Sequence, residues 1–112
     1  MFSKHNPEGY GDALPGIKRK TLSFGERTLM TEFVMDARSM LPLHAHPYEQ
    51  TGYLVKGRIR LSTGGVEHDV RPGDSWCIGM NIEHGATIIQ DSVAVEVFSP
   101  RRDEYIPECP IS

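Results

Sequence analysis

The sequence has no long apolar run and no excess of basic residues. No stretch of about 18 apolar residues occurs among its 112 residues, so no membrane-spanning helix is predicted. Lys and Arg number 12 against 15 Asp and Glu, and this net charge of −3 gives no basic face for nucleic acid. Residues 1–16 are polar and lack the apolar core of a signal peptide. We therefore expect one cytoplasmic domain with no nucleic-acid or membrane partner.

Cysteine is also scarce, since the chain contains only Cys77 and Cys109. Two cysteines so far apart in sequence could form one disulfide. Without a secretory signal, however, we interpret both as free thiols in a reducing compartment.

Helical periodicity is missing as well. No segment longer than about ten residues repeats apolar positions at helical spacing, whereas 11 Gly and 8 Pro are scattered along the chain. Eight to ten short strands predict an all-β sandwich or small barrel over about 16–99. We expect residues 1–15 and the tail 100–112 to be irregular. The main predicted strands are IKRKTL (17–22), RTLMTEFVMD (27–36), YLVKGRIRLS (53–62), LSTGGVEHDV (61–70), SWCIG (75–79) and GATIIQDSVAVEVFS (85–99).

Four short segments mark expected reversals of the chain. Gly64-Gly65 is a strong hairpin signal, and Arg71–Asp74 (RPGD) has the Pro and Gly positions of a type II turn. Lys56-Gly57 predicts a turn inside 53–62, and Gln90-Asp91-Ser92 predicts that the last segment folds back on itself.

The last predicted strand is apolar on both faces. Val93, Val95 and Val97 share one face, opposite a face that carries Phe98. The valine face either packs beneath the N-terminal strand or forms a homodimer interface, and the two interpretations are compatible. We expect a homodimer.

A possible metal site begins with two histidines one residue apart. In an extended segment His44 and His46 point to the same side, so both imidazoles can bind one divalent ion. Gln50 shares their parity and Glu49 does not, although Pro47 could shift the phase of the strand. His84 is a later candidate ligand. We interpret the remaining histidines, His5 and His68, as surface or core residues.

The spacing of these residues resembles the first motif of the cupin superfamily. That motif runs His-x-His, three or four residues, an acidic or amide ligand, six residues and Gly, which here gives His44, His46, Gln50 and Gly57. Placing Glu49 at the ligand position would break both spacings. Gln50 is therefore the better candidate.

The second cupin motif is matched with two departures. It runs Gly, five residues, Pro, one residue, Gly, two residues and His, and here Gly73 leads to His84 with Gly79 and Asn81 in place of Pro and Gly. The resemblance implies a single-domain, cupin-type double-stranded β-helix, a jelly-roll barrel, within residues 1–112. It also implies one divalent ion (Ni, Zn, Mn or Fe) held by His44, His46, Gln50 and His84.

Such a ligand set has an electrostatic consequence. Three neutral imidazoles and a neutral amide leave the +2 charge of the ion uncompensated in a barrel of low dielectric constant. The site should therefore attract an anion, and a carboxylate is the common biological one.

Three segments further resemble the KdgF family of small pectin-degradation cupins. They are GIKRK, HAHPYEQTGYLVKG and VEVFSPRRDEY. This family converts the ring form of unsaturated uronates, released from pectin or alginate, to the linear keto-uronate. The resemblance implies catalytic roles for Glu96 and Arg102 and substrate binding by Phe98 and Arg102. The family usually has Asp at the position of Glu96, and on sequence alone Arg101 is an equal rival of Arg102.

Three functions are consistent with these residues. The first is a metal-dependent enzyme that opens or tautomerises a small anionic sugar without redox chemistry. The second is a metal-dependent dioxygenase, in which the same ligands would hold Fe(II). The third is a non-catalytic module that binds a sugar or another anion.

Overall fold

The computed structural model describes residues 1–107, and strands make up most of this part of the chain. A short 3₁₀ helix, Asp103–Tyr105, follows the last strand. The strands are β1 (Gly11–Leu14), β2 (Ile17–Phe24), β3 (Leu29–Met35), β4 (Met40–His44), β5 (Glu49–Thr63), β6 (Val66–Val70), β7 (Ser75–Ile78) and β8 (His84–Ser99).

Two long strands, β5 and β8, belong to two sheets at once. Their halves that contain residues 49–56 and 93–99 pair in a larger antiparallel sheet of order β1-β2-β3-β8-β5-β7. Their other halves pair in a smaller sheet of order β4-β8-β5-β6. The inner faces of the two sheets pack around one core, as in sandwiches whose sheets lie about 10 Å apart. The predicted all-β jelly roll is confirmed.

The predicted turns at Lys56-Gly57 and Gln90–Ser92 are wrong, because the chain bends at these points without reversing. Both segments lie inside continuous strands, and the β5–β8 register skips residues at these points, from Lys56↔Val93 to Arg58↔Gln90. Neither strand folds back on itself. The two strands bend together there and pass from one sheet to the other, because paired bulges let a ribbon change direction without losing its partner.

Gly57 and Ser92 fit together at this shared bend. Gly57 has a φ of 96°, and a Cβ at this position would overlap Ser92 Oγ and lie 2.5 Å from the carbonyl oxygen of Asp91. Ser92 Oγ accepts a hydrogen bond from the Arg58 N–H at 3.1 Å and donates one to the Gln90 carbonyl at 2.6 Å. The hydroxyl thus satisfies backbone groups that the bulge removes from the ladder.

Two predicted turns are confirmed. Gly64 and Gly65 both have positive φ and join β5 to β6, as a two-residue hairpin requires. In the turn Arg71–Asp74 the Asp74 N–H donates to the Arg71 carbonyl at 3.0 Å, and Gly73 has a φ of 94°.

Both ends of the described chain are more ordered than predicted. Residues 11–14 of the expected irregular segment form β1 and pair with β2. In the tail, the 3₁₀ helix folds back against the barrel, where the Tyr105 carbonyl accepts a hydrogen bond from Thr21 Oγ1. The Arg19 guanidinium lies 3.8 Å from the centre of the Tyr105 ring. This tail therefore packs against β2.

Only one of the two cysteines lies among the described residues. Cys77 is exposed and forms no disulfide with any residue of 1–107. Cys109 lies outside the described residues, so its predicted free thiol stays a prediction. Across the same described range, no helix is long and apolar enough to cross a membrane.

The core lies between the two sheets and is built from inward-facing residues. Burial alternates along β3, where Leu29, Thr31, Phe33 and Met35 are buried, as expected for a strand with one face on the core. The valine row of β8 is half-buried on the outer face of the larger sheet, beside the exposed side chains of β5. The homodimer stays a prediction.

The bend predicts the effect of a substitution at Gly57. We expect Gly57→Ala to lower the free energy of unfolding by at least about 2 kcal/mol, because a non-glycine residue at positive φ costs on the order of 1–3 kcal/mol and the overlap with Ser92 adds to it. Urea denaturation measures the change. The control is Gly25→Ala, which has open space around its Cβ and should change stability by less than about 0.5 kcal/mol. Equal stability of the two variants would contradict the role of the bend.

Candidate metal centre

Three histidines from two segments of the chain meet at one end of the barrel. His44 is the last residue of β4, His84 is the first residue of β8, and the two are cross-strand partners. His46 follows two residues after His44. Their candidate ligand atoms all lie within 4.8 Å of one another. Such a cluster of donors is suited to one divalent cation.

Backbone carbonyls orient two of the imidazoles. His44 Nδ1 lies 2.8 Å from the Pro42 carbonyl, and His84 Nδ1 lies 2.8 Å from the Ile82 carbonyl. Because a carbonyl only accepts, each Nδ1 carries the hydrogen and donates it. Each Nε2 therefore presents a lone pair, the arrangement found in most metal-bound histidines.

The buried atoms of the cluster lack protein partners. His84 Nε2 is buried and has no hydrogen-bond partner among residues 1–107, and the same is true of His46 Nδ1. Leaving a buried polar atom unsatisfied costs about 1–3 kcal/mol. A cation bound at His84 Nε2 would remove this cost there. The donor set and its orphaned nitrogen therefore fit a divalent ion.

Burial also keeps the cluster in the form that binds metals. Desolvation lowers the pKa of both His46 and His84, and the positive charge of Arg102 lowers the pKa of each further. Neutral imidazoles are the form that coordinates a cation, so less proton release is needed on binding.

Gln50 lies beside the histidines, and Glu49 does not. Gln50 is 5% exposed, and its Oε1 is 2.8 Å from His46 Nε2. Two atoms that ligate one ion at right angles, each about 2.1 Å from it, would be about 3 Å apart, so this separation also suits neighbouring ligands. Glu49 is exposed on the other face of β5. The structure thus brings together all four predicted ligands.

Glu96 contacts this cluster through Gln50. The Gln50 amide Nε2 donates to Glu96 Oε1 at 2.7 Å, and Trp76 Nε1 donates to the same oxygen at 3.0 Å. Burial raises the pKa of Glu96, and these two hydrogen bonds and the charge of Arg102 oppose the increase. The carboxylate therefore faces the cavity from the side of the amide ligand.

Sequence reasoning did not find Trp76. It is the chain's one tryptophan, and it lies in the segment SWCI, which carries no motif. Its contact with Glu96 depends on the lateral order of β7, β5 and β8, which no local pattern reveals.

The two arginines of the tail, Arg101 and Arg102, lie in different surroundings. Arg102 faces the cavity, lies 4.0 Å from the centre of the Tyr105 ring, and donates from Nε to Glu104 Oε1 at 2.8 Å. Arg101 instead bonds Asp103 and the Gly25 carbonyl on the outside of the barrel. The structure therefore places Arg102, and not its rival, at the site.

Phe98 forms part of the wall. It is 1% exposed, and its ring meets the His46 ring edge-on with 5.9 Å between centroids. The cavity of about 70 Å³ is lined by both polar and apolar side chains. Its polar lining consists of His44, His46, Gln50, Trp76, His84, Glu96 and Arg102, and the apolar lining includes Phe33, Met35, Leu41, Ile59, Leu61 and Phe98.

This geometry predicts the metal content of the protein. The wild type should bind about one divalent ion per chain, and His84→Ala should remove most of it, because His84 contributes the orphaned buried nitrogen. Elemental analysis after dialysis and calorimetric titration measure both. The matched control is His68→Ala, an exposed histidine outside the cluster, which should keep full occupancy. Full occupancy in His84→Ala would rule out the proposed ligand set.

Comparison with known proteins agrees with this architecture. A family model described as "Cupin domain" matches residues 31–99. No curated protein matches the sequence. Among solved structures, KdgF from Halomonas sp. has a TM-score of 0.89 and 28% identity, over 95% of this chain and 98% of its own.

Two further structures extend the comparison. An RmlC-like cupin from Shewanella frigidimarina NCIMB 400 has a TM-score of 0.88 and 27% identity, over 94% of this chain and 95% of its own. The Cnp3 cupin domain of Schizosaccharomyces pombe has a TM-score of 0.76 at 10% identity, over 94% of this chain and 80% of its own, which shows the shared fold alone. The family match covers more than half of the chain, and it includes all four of the clustered side chains, His44, His46, Gln50 and His84. The chain therefore belongs to the cupin family.

Proposed function

We propose that this protein is a metal-dependent isomerase that opens the ring of unsaturated uronates from pectin or alginate to give the linear keto-uronate. The observation that carries the proposal is that a carboxylate, Glu96, and a guanidinium, Arg102, line the same cavity as the histidine cluster. The full-length similarity to KdgF from Halomonas sp. supports it.

The substrate carboxylate would bind beside Arg102. Arg102 uses Nε–H for Glu104, and its terminal N–H groups make no hydrogen bond with the described residues. A guanidinium with two free N–H groups suits bidentate binding of a carboxylate. The aromatic rings of Tyr105, Phe98 and Tyr48 lie around the Arg102 guanidinium and limit its movement.

A divalent ion held by His44, His46, Gln50 and His84 would supply positive charge that attracts the anionic substrate. Because all four ligands are neutral, none of them would offset that charge. The ligand set therefore favours an anionic sugar over a neutral one.

Ring opening of an unsaturated uronate needs two proton movements and no oxidant. A proton leaves the anomeric hydroxyl as C1 becomes an aldehyde and the bond from C1 to the ring oxygen breaks. The electron pair gives an enolate at C5, and a proton added at C4 yields the 5-keto product. Glu96 is suited to move these protons, since its Oε2 makes no hydrogen bond with residues 1–107 and burial raises its pKa.

A direct assay tests the proposed reaction. Metal-loaded protein mixed with freshly released unsaturated uronate should accelerate the loss of the ultraviolet absorbance of the C4–C5 double bond, with no oxygen consumed. Oxygen uptake in step with turnover would replace the proposal with a dioxygenase. Tight binding of uronates without any change in absorbance would replace it with a binding module.

Substitutions at Glu96 test its chemical role. Glu96→Gln keeps a carbonyl oxygen for Trp76 and Gln50 but removes proton transfer, so turnover should fall on the order of 100- to 10,000-fold while metal content stays normal. Glu96→Asp keeps the carboxylate and moves it back by one methylene, so it should retain more activity than Glu96→Gln. Steady-state kinetics and elemental analysis measure both. An unchanged rate in Glu96→Gln would contradict the assignment.

A further inference from the structure

Trp76, Glu96 and Gln50 form a continuous hydrogen-bonded chain that ends at the histidine cluster. Glu96 Oε1 accepts the indole N–H of Trp76 at 3.0 Å and the amide N–H of Gln50 at 2.7 Å. At the other end of the amide, Gln50 Oε1 lies 2.8 Å from His46 Nε2.

The Glu96 carboxylate determines the orientation of the Gln50 side-chain amide. A glutamine side chain carries a donor NH₂ and an acceptor oxygen at nearly equivalent positions, and only the oxygen can ligate a cation. Glu96 Oε1 accepts from the NH₂ group, so the Gln50 oxygen is turned toward the histidines. Glu96 therefore fixes the orientation of the Gln50 amide at the histidine cluster.

Trp76 reaches Glu96 because of a glycine between them. Gly52 of β5 is the cross-strand partner of both Trp76 on β7 and Glu96 on β8. Residues two strands apart are separated by about 10 Å of sheet, and an intervening side chain normally fills that space. At Gly52 a Cβ would overlap the indole ring, so the ring occupies this space and crosses to Glu96.

We propose that Trp76 is a positioning residue of the metal centre, which acts through Glu96 to hold the Gln50 amide oxygen toward the metal. Its indole N–H fixes Glu96 Oε1, which leaves Oε2 as the oxygen that faces the cavity. The inference rests on the metal centre of the proposed function and not on its substrate. Loss of uronate activity alone would leave it unaffected.

Metal affinity without substrate tests the proposal. Trp76→Phe keeps an aromatic ring over Gly52 and removes the N–H, so the apo-protein titrated with Zn²⁺ or Ni²⁺ should bind about tenfold more weakly, the lower end of the effect of losing an outer hydrogen-bond partner. The absorption spectrum of the Co²⁺ form should change as well, because the amide oxygen no longer holds its place among the ligands. The matched control is Tyr53→Phe, an exposed aromatic on the outer face, which should bind metal like the wild type.

A double-mutant cycle separates positioning from packing. In a Glu96→Ala background no acceptor remains, so Trp76→Phe should cause no further loss of metal affinity. If Trp76 only packs against the core, its effect would be the same in both backgrounds, and this result would overturn the proposal. So would wild-type affinity and an unchanged Co²⁺ spectrum in Trp76→Phe.

A second variant keeps the test valid if Trp76→Phe fails to fold. Gly52→Ala retains the indole but fills the space that it occupies, so it should weaken metal binding to a similar extent. The single tryptophan gives one indole N–H signal in a nitrogen-15 NMR spectrum, and Gly52→Ala and Glu96→Ala should both shift it. A shifted indole signal with unchanged metal affinity in Gly52→Ala would overturn the proposal.

Discussion

The pairing of β5 with β8 holds both sheets together and positions the candidate site between them. The two strands stay paired from Glu49↔Ser99 to Thr63↔His84, and they bend together from one sheet to the other. His84 and Phe98 are 14 residues apart on β8, which would be about 46 Å in a straight strand. Yet their rings lie 4.8 Å and 5.9 Å from the ring of His46, which places them no more than about 11 Å apart. The bend therefore creates the cavity and assembles its two walls.

The same pairing explains the chemistry of the candidate site. On the β5 side it places Gln50 next to Phe98 and Gly52 next to Glu96, so a ligand, a wall and a carboxylate come from two adjacent strands. Rigid strands hold such groups more precisely than loops do. By contrast, Arg102 reaches the cavity from the tail, where contacts with Tyr105 and Glu104 hold it in place. The strands thus supply the candidate ligands and the carboxylate, and the tail supplies the guanidinium that lines the same cavity.

Several features of the site follow from spacing in the sequence. His46 lies between β4 and β5, so His44, His46 and Gln50 do not share one strand, but the spacing of the motif still identifies all three, and Glu49 stays outside the site. The Gly64-Gly65 and Arg71–Asp74 turns also follow from residues that tolerate or require the observed backbone angles. At Gly57 and Gln90–Ser92 the same kind of signal marks the correct place but not the correct structure. A positive φ suits a bulge as well as a turn, and only the partner strand decides between them.

The all-β class, the cupin spacing and the ligand candidates could be predicted from the sequence, since each depends on the order and spacing of neighbouring residues. The tertiary structure decided which arginine enters the cavity, because Arg101 and Arg102 differ only in the direction that the tail gives them. It also decided the role of Trp76, whose contact with Glu96 crosses two strands and an intervening glycine. Lateral register between distant strands comes from the packing of the whole sheet, and no local pattern around Trp76 contains it.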